Sequence, residues 1–191
     1  IAKHGATGRA ILKEKLLAAH RAGIFEAIRE QSIGIPFVTL EASGADDGHA
    51  LSVDQSRGAR LAVRHLVDLG HTQIVHIAGP SDWLEARARL DGYRSELMEA
   101  GIAPREPTTG DWTAEFGYRA GLELLDRVDF TAVFCANDQM ALGFLHACRD
   151  AGVSVPGDLS VVGFDDTPES RHFAPALTTV RQDFVEIGNR A

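Results

Sequence analysis

Cysteine, long apolar runs, excess positive charge and recognisable catalytic motifs are all scarce in this chain, and each shortage removes a class of protein. The two cysteines in 191 residues, Cys135 and Cys148, imply no disulfide framework. They read as small buried hydrophobes in a reducing cytoplasm. No apolar run approaches the roughly 18 residues needed to cross a bilayer. The opening IAKHGATGRAILKEK has neither the apolar core nor the cleavage site of a signal peptide. A net charge of −8 argues against these residues gripping nucleic acid through its phosphates. Catalysis finds no GxSxG elbow, HExxH helix, GxxxxGK[ST] phosphate loop or GxGxxG dinucleotide turn. None of the eight histidines falls into a metal-ligand spacing, since His65, His71 and His76 straddle a helix end and a strand. No cofactor, no metal and no turnover are expected.

What is present is an alternation of short β-rich runs with amphipathic stretches. Residues 35–41 (IPFVTLE) read as a strand, with Pro36 near its start, where a missing N–H is tolerated. Residues 56–69 read as a helix from the spacing of Leu61, Leu66 and Leu69, stopped by Gly70. The pattern continues with a strand at 73–78 closed by Gly79-Pro80, and a helix at 82–100 ended by Gly101. After Gly110-Asp111-Trp112 come a helix at 113–125, a strand at 131–136, a helix at 138–151 stopped by Gly152, and a strand at 159–164. Near-continuous apolar strands separated by helices indicate a parallel sheet covered on both faces. A doubly wound α/β domain is therefore expected over about residues 54–181. The first 34 residues fit less well, because helical stretches at 11–22 and 25–30 have almost no strand between them.

In open parallel sheets, ligands bind beyond the carboxyl ends of the strands. Three polar clusters are predicted there: Asn137-Asp138, Asp165-Asp166, and Gly79-Pro80-Ser81-Asp82-Trp83 followed by Arg87 and Arg89. An amide, carboxylates, a guanidinium and an indole suit hydroxyl-rich sugars, which need bidentate donors and acceptors and an aromatic plate. Each residue also has a structural alternative. Either Asn137 or Asp138 caps the following helix, with Asp138 favoured for that role. Asp165 and Asp166 either face a ligand or hold the turn before Thr167-Pro168. Arg89 either reaches the ligand or lies on a solvent-facing helix side, Arg87 reads as structural, and Trp83 and Trp112 are equally compatible with packing.

The run SRGARLAVRHLVDLGHTQIVHIAGPSDWLEARARLDGYRSELMEAG at 56–101, then GDW at 110–112, ANDQMALG at 136–143, SVVGFDDT at 160–167 and PALTTVRQDF at 175–184, resemble the lactose-repressor (LacI/GalR) family. The resemblance covers about residues 33–191. It implies two doubly wound parallel-sheet lobes of periplasmic-binding-protein type: residues 54–181 as the C-terminal lobe, and 1–53 plus 182–191 as an N-terminal lobe incomplete in this chain. Crossings are expected near 51–54 and 181–184, with the effector between the lobes. Carried over position by position, the resemblance puts Arg89, Asn137 and Asp165 on sugar hydroxyls and Trp112 against the sugar ring. It places Phe184 at the pocket floor and Trp83 as a second stacking candidate. Glu41 matches a cleft position that often carries Asp. It further implies a cytoplasmic repressor with a galactoside or other glycoside as effector. Operator DNA is read by a helix-turn-helix head outside these residues, and the assembly is a homodimer or tetramer. An exported sugar-binding protein of a transport system is the rival reading.

Overall fold

The computed structural model describes residues 39–40, 50–126 and 129–190. Of the strand expected at 35–41, the described part is β1 (Thr39–Leu40), which pairs in parallel with β2 (Ala50–Leu51). Glu41 and the helical stretches expected at 11–22 and 25–30 lie outside the described residues.

From residue 55 the alternation holds. Helix α1 (Gln55–Asp68) is capped by Asp54, whose side chain accepts from the Arg57 N–H. It is followed by β3 (Ile74–Ala78), α2 (Leu84–Glu99), β4 (Thr108–Thr109), α3 (Ala114–Leu125), β5 (Ala132–Cys135), α4 (Asp138–Asp150) and β6 (Ser160–Asp165). A 3-10 turn (Ser170–His172), β7 (Thr178–Arg181) and α5 (Phe184–Arg190) complete the order. Strands β3 to β7 form one parallel sheet, β4-β3-β5-β6-β7, separate from the β1-β2 pair. Two of them, β4 and β7, were not expected from pattern. Both are edge strands, and β4 is only two residues long, too short for any periodicity to register.

The sheet is doubly wound because strand side chains alternate between two cores. Ile74, Ala132, Phe134, Val162 and Phe164 pack under α1 and α2 with Ala59, Val63, Leu66, Tyr93 and Leu97. Val75, Ile77, Val133, Cys135 and Val161 pack under α3 and α4 with Met140, Phe144 and Cys148. Burial lifts both thiols well above the ordinary cysteine value, Cys148 to about 11, so they behave as apolar filler. Helices α3 and α4 approach backbone to backbone. A Cβ at Gly117 would run into the Met140 carbonyl, and one at Gly143 into that of Ala114. Among the described residues no helix is long and apolar enough to cross a membrane.

His76 lies in the sheet interior. It is 1% exposed and stacked between Tyr93 and Phe134 at 4.9 and 4.6 Å, with Nδ1 against the Phe134 carbonyl at 2.8 Å. Burial drives its pKa down to about 4, so the ring is neutral. His71 sits elsewhere, at the amino ends of the strands, against the Thr131 and Ser160 hydroxyls.

Candidate ligand site

The side on which successive strands are added switches at β3. The connection through α2 leads to β4 on one side, and the connection through α3 returns to β5 on the other. Strands that part in this way leave a crevice beyond their carboxyl ends. The Gly110 N–H closes onto the Ala78 carbonyl (2.8 Å) and the Ala136 N–H onto that of Ile77 (2.8 Å), which sets the loops after β3, β4 and β5 side by side.

Arg89 is the centre of that crevice. Placed in the second turn of α2, it is 5% exposed and therefore does not lie on a solvent-facing side. Its Nε donates to Gln55 Oε1 (2.9 Å), its Nη1 to the Ala136 carbonyl (2.5 Å), and its Nη2 lies 3.5 Å from Asp165 Oδ1. The guanidinium carbon stands 4.0 Å from the Phe164 ring centroid and 5.5 Å from that of Trp112, a cation held between two aromatic faces. Burial lowers the Arg89 pKa from its ordinary value, opposed in turn by the charges of Asp165, Glu85 and Asp138. Burial likewise raises that of Asp165, opposed by Arg89 and by the amide of Gln182.

Two further residues belong to this network and were not anticipated. Gln55 Nε2 donates to Gln182 Oε1 (2.9 Å), and Gln182 Nε2 to Asp165 Oδ1 (2.6 Å). Arg89, Gln55, Gln182 and Asp165 thus close a polar ring that ties the start of α1 to the end of β7. The two glutamines are 127 positions apart, so nothing local marks them as a pair.

Asn137, not Asp138, takes the capping role. Asn137, in extended backbone, is the N-cap of α4: its Oδ1 accepts from Met140 N–H (2.9 Å) and its Nδ2 donates to the Trp112 carbonyl (3.0 Å). Asp138 is already helical and cannot cap. Its 1%-exposed carboxylate instead gathers the Thr167 N–H (2.8 Å), the Thr167 hydroxyl (3.3 Å) and the Thr179 hydroxyl (2.5 Å), pinning the loop after β6 to β7. Asp166 holds that turn too, accepting from Arg181 Nε (2.5 Å) and Ser170 (3.5 Å).

The two tryptophans form one wall. Their rings meet edge to face, 5.9 Å apart at 75°. Trp112 lies over Gly79, where any Cβ would collide with its six-membered ring, so the Gly-Pro that ends β3 is also what lets the indole settle there. The non-glycine residues with positive φ among those described are Trp112 (71°), Asp165 (113°) and Asp166 (53°), and all sit in these loops. Backbone held this way is strained by roughly 1–3 kcal/mol per residue and tends to gather where ligands bind. Arg87 is exposed. Phe184 begins α5, but its side chain, like Glu41, lies outside what is described. The structure therefore brings together Arg89, Asp165, Asn137, Trp112 and Trp83, and adds Gln55 and Gln182.

Comparison with known proteins agrees with this fold. The periplasmic binding protein-like domain family matches residues 63–191. The lactose operon repressor of Escherichia coli (strain K12) is 39% identical over 163 residues, 85% of this chain and 45% of that protein. The chain thus spans about half the length of that curated relative. A dimeric lac repressor with an 11-residue C-terminal deletion superposes with a TM-score of 0.83 at 34% identity, covering 100% of this chain and 74% of that one. A complex of the transcriptional regulator CelR with cellobiose gives 0.75 at 37% identity, covering 82% and 50%. With these motifs, this strand order and these relatives, the chain belongs to the lactose-repressor (LacI/GalR) family and carries its periplasmic binding protein-like domain.

Proposed function

We propose that this chain is the effector-sensing and dimerisation core of a cytoplasmic, sugar-responsive transcriptional repressor, not an enzyme. The observation that carries the reading is the Arg89 cradle: a buried guanidinium between two aromatic rings, hydrogen-bonded to Gln55 and facing Asp165. Such a group offers directed donors in a buried pocket beside an indole plate, the combination a pyranose requires. The relatives point the same way, since one is named for the lactose operon and another was solved with cellobiose.

In this proposal residues 54–181 form one lobe, and 1–53 with 182–191 contribute to a second. Glu41 and Phe184 face the sugar from that side. Gln55 and Gln182 stand where the chain passes between lobes, so the ring they complete with Arg89 and Asp165 registers both the ligand and the crossings. Effector binding favours one lobe arrangement, and an attached helix-turn-helix head reads the difference on operator DNA. Only unequal affinity for the two arrangements can shift them. A hundredfold change in DNA affinity needs roughly 2.7 kcal/mol of coupling. Self-association uses α3, α4 and the loop at 170–173. A groove of about 510 Å³ there, lined by Tyr118, Leu142, His146, Arg149 and Ala174 among others, supports that assignment.

A thermal-shift screen of the chain against mono- and disaccharides tests the reading. Ligand at 100 times its dissociation constant stabilises the folded form by about 2.7 kcal/mol, so a selective rise in Tm with one saccharide class is expected. No rise with any saccharide, from folded protein, would overturn it.

A further inference from the structure

The polar ring around Arg89 is internally matched, but two buried polar atoms beside it are not. Glu85 Oε2 and the Trp112 indole Nε1 have no hydrogen-bond partner among the described residues. A buried donor or acceptor left alone is costly, and native structures seldom keep one without a reason. Both atoms belong to the crevice. Glu85 is in the first turn of α2, four residues before Arg89 and so on the same helix face, about 6 Å nearer the helix start. Because α2 runs back from the carboxyl end of β3, that start is the mouth of the crevice. Trp112 stands over Arg89, with its ring edge-on to Trp83 at the helix N-cap. An unpaired acceptor and an unpaired donor thus flank a guanidinium whose Nε is held by Gln55, whose Nη1 is held by the Ala136 carbonyl and whose charge faces Asp165.

We infer that Glu85 reads the ligand directly, its free oxygen accepting from a ligand hydroxyl while the Trp112 N–H donates to a ligand oxygen, so that the site takes an uncharged polyhydroxylated molecule and rejects a phosphorylated one. This rests on the saccharide-effector reading above. The charge balance supplies the second half of the argument. The cation Arg89 has three carboxylates around it, Asp165, Glu85 and Asp138, and Asp138 is satisfied by threonine hydroxyls and a backbone N–H, not by a cation. A phosphate entering at the start of α2 would meet the Glu85 carboxylate before Arg89, whose charge already faces Asp165. A neutral hydroxyl instead gives Glu85 the donor it lacks, in a charge-assisted bond about twice as strong as a neutral one.

The test is isothermal titration calorimetry on the full chain with cellobiose, methyl β-galactoside, maltose and the 6-phosphates of glucose and galactose. Wild type is expected to bind at least one uncharged saccharide and neither phosphate. Glu85→Gln should weaken that saccharide by roughly tenfold or more, as expected for a hydrogen bond to a charged group, and bring sugar phosphate into measurable range. Trp112→Phe, which keeps a plate but loses the N–H, should weaken it about threefold to tenfold. Matching ligand-free Tm values for wild type and variants would show that folding is not what changed. Affinities for both ligand types within twofold of wild type in Glu85→Gln would overturn the inference alone, as would wild type binding a sugar phosphate as tightly as an uncharged sugar. Failure of wild type to bind any saccharide would instead remove the parent reading, and this one with it.

Discussion

The two ends of the parallel sheet solve the same backbone problem with different residues. At the amino end, where helices stop and strands begin, the left-handed positions belong to Gly70 (φ 91°), Gly101 (73°) and Gly152 (73°), with open space around each. Polar groups there find partners across the end: His71 spans the Thr131 and Ser160 hydroxyls at 2.9 Å each, Arg105 joins Asp129 at 2.7 Å, and the buried Glu96 Oε1, without a hydrogen bond among the described residues, is ion-paired with Arg64. At the carboxyl end the left-handed positions fall on Trp112, Asp165 and Asp166, which must carry side chains, and two buried polar atoms remain unmatched. One end uses glycine where the backbone is unusual and is relaxed. The other accepts strain so that an indole and carboxylates stand where the chain turns. That contrast separates scaffold from site without reference to any relative.

Three substitutions press on the contrast. The largest effect is expected from Arg89→Ala at the carboxyl end. It removes a buried charged donor and leaves Asp165 without its cation and Gln55 Oε1 without its donor, so saccharide affinity should fall at least about a hundredfold, roughly 3 kcal/mol. Calorimetry on folded variant checks it, and unchanged affinity would remove Arg89 from the site. His76, buried between the ends, gives an effect of about the same size on stability alone. With its pKa near 4 in the folded chain and an ordinary value of 6.5, the unfolded chain takes up the proton first as pH falls. Its contribution is complete above pH 6.5 and is lost on descending toward 4, a change of about 3 kcal/mol at 1.36 kcal/mol per pH unit. Urea denaturation at pH 7, 6, 5 and 4 should show that slope in wild type, and a shallower one in His76→Leu; equal slopes would refute it. The smallest effect belongs to the amino end. Gly101→Ala meets no atom, so only the left-handed backbone is penalised, by about 1 kcal/mol. Chemical denaturation should detect that loss, and saccharide affinity should not move.

Much of the fold was legible because it is written in short-range signals. Apolar runs of four to six residues, Asp54 and Thr113 before helices, and glycines at 70, 101 and 152 after them act over one or two turns of chain. They mark elements within a residue or two of where these lie. The cap of α4 was harder, because Asn137 and Asp138 are chemically able to do the same thing. Backbone conformation decides, and the side chain of the residue already inside the helix is released to bind loops brought to it by β6 and β7.

The sequence by itself determined the alternation, the parallel sheet and the polar residues carried to its carboxyl end, since each follows from local pattern and from the rule that such sheets are entered there. Only the tertiary structure decided which of those residues converge. Gln55 meets Arg89, and Gln182 meets Gln55 and Asp165, because strand order sets β7 beside β6 and packs α1 against α2, not because of anything in their neighbourhoods. The edge strands β4 and β7, the Trp112 ring over Gly79 and the unpaired atoms of Glu85 and Trp112 have the same origin. Pairing over long separations depends on where whole elements are placed, and that placement is settled by packing across both faces of the sheet.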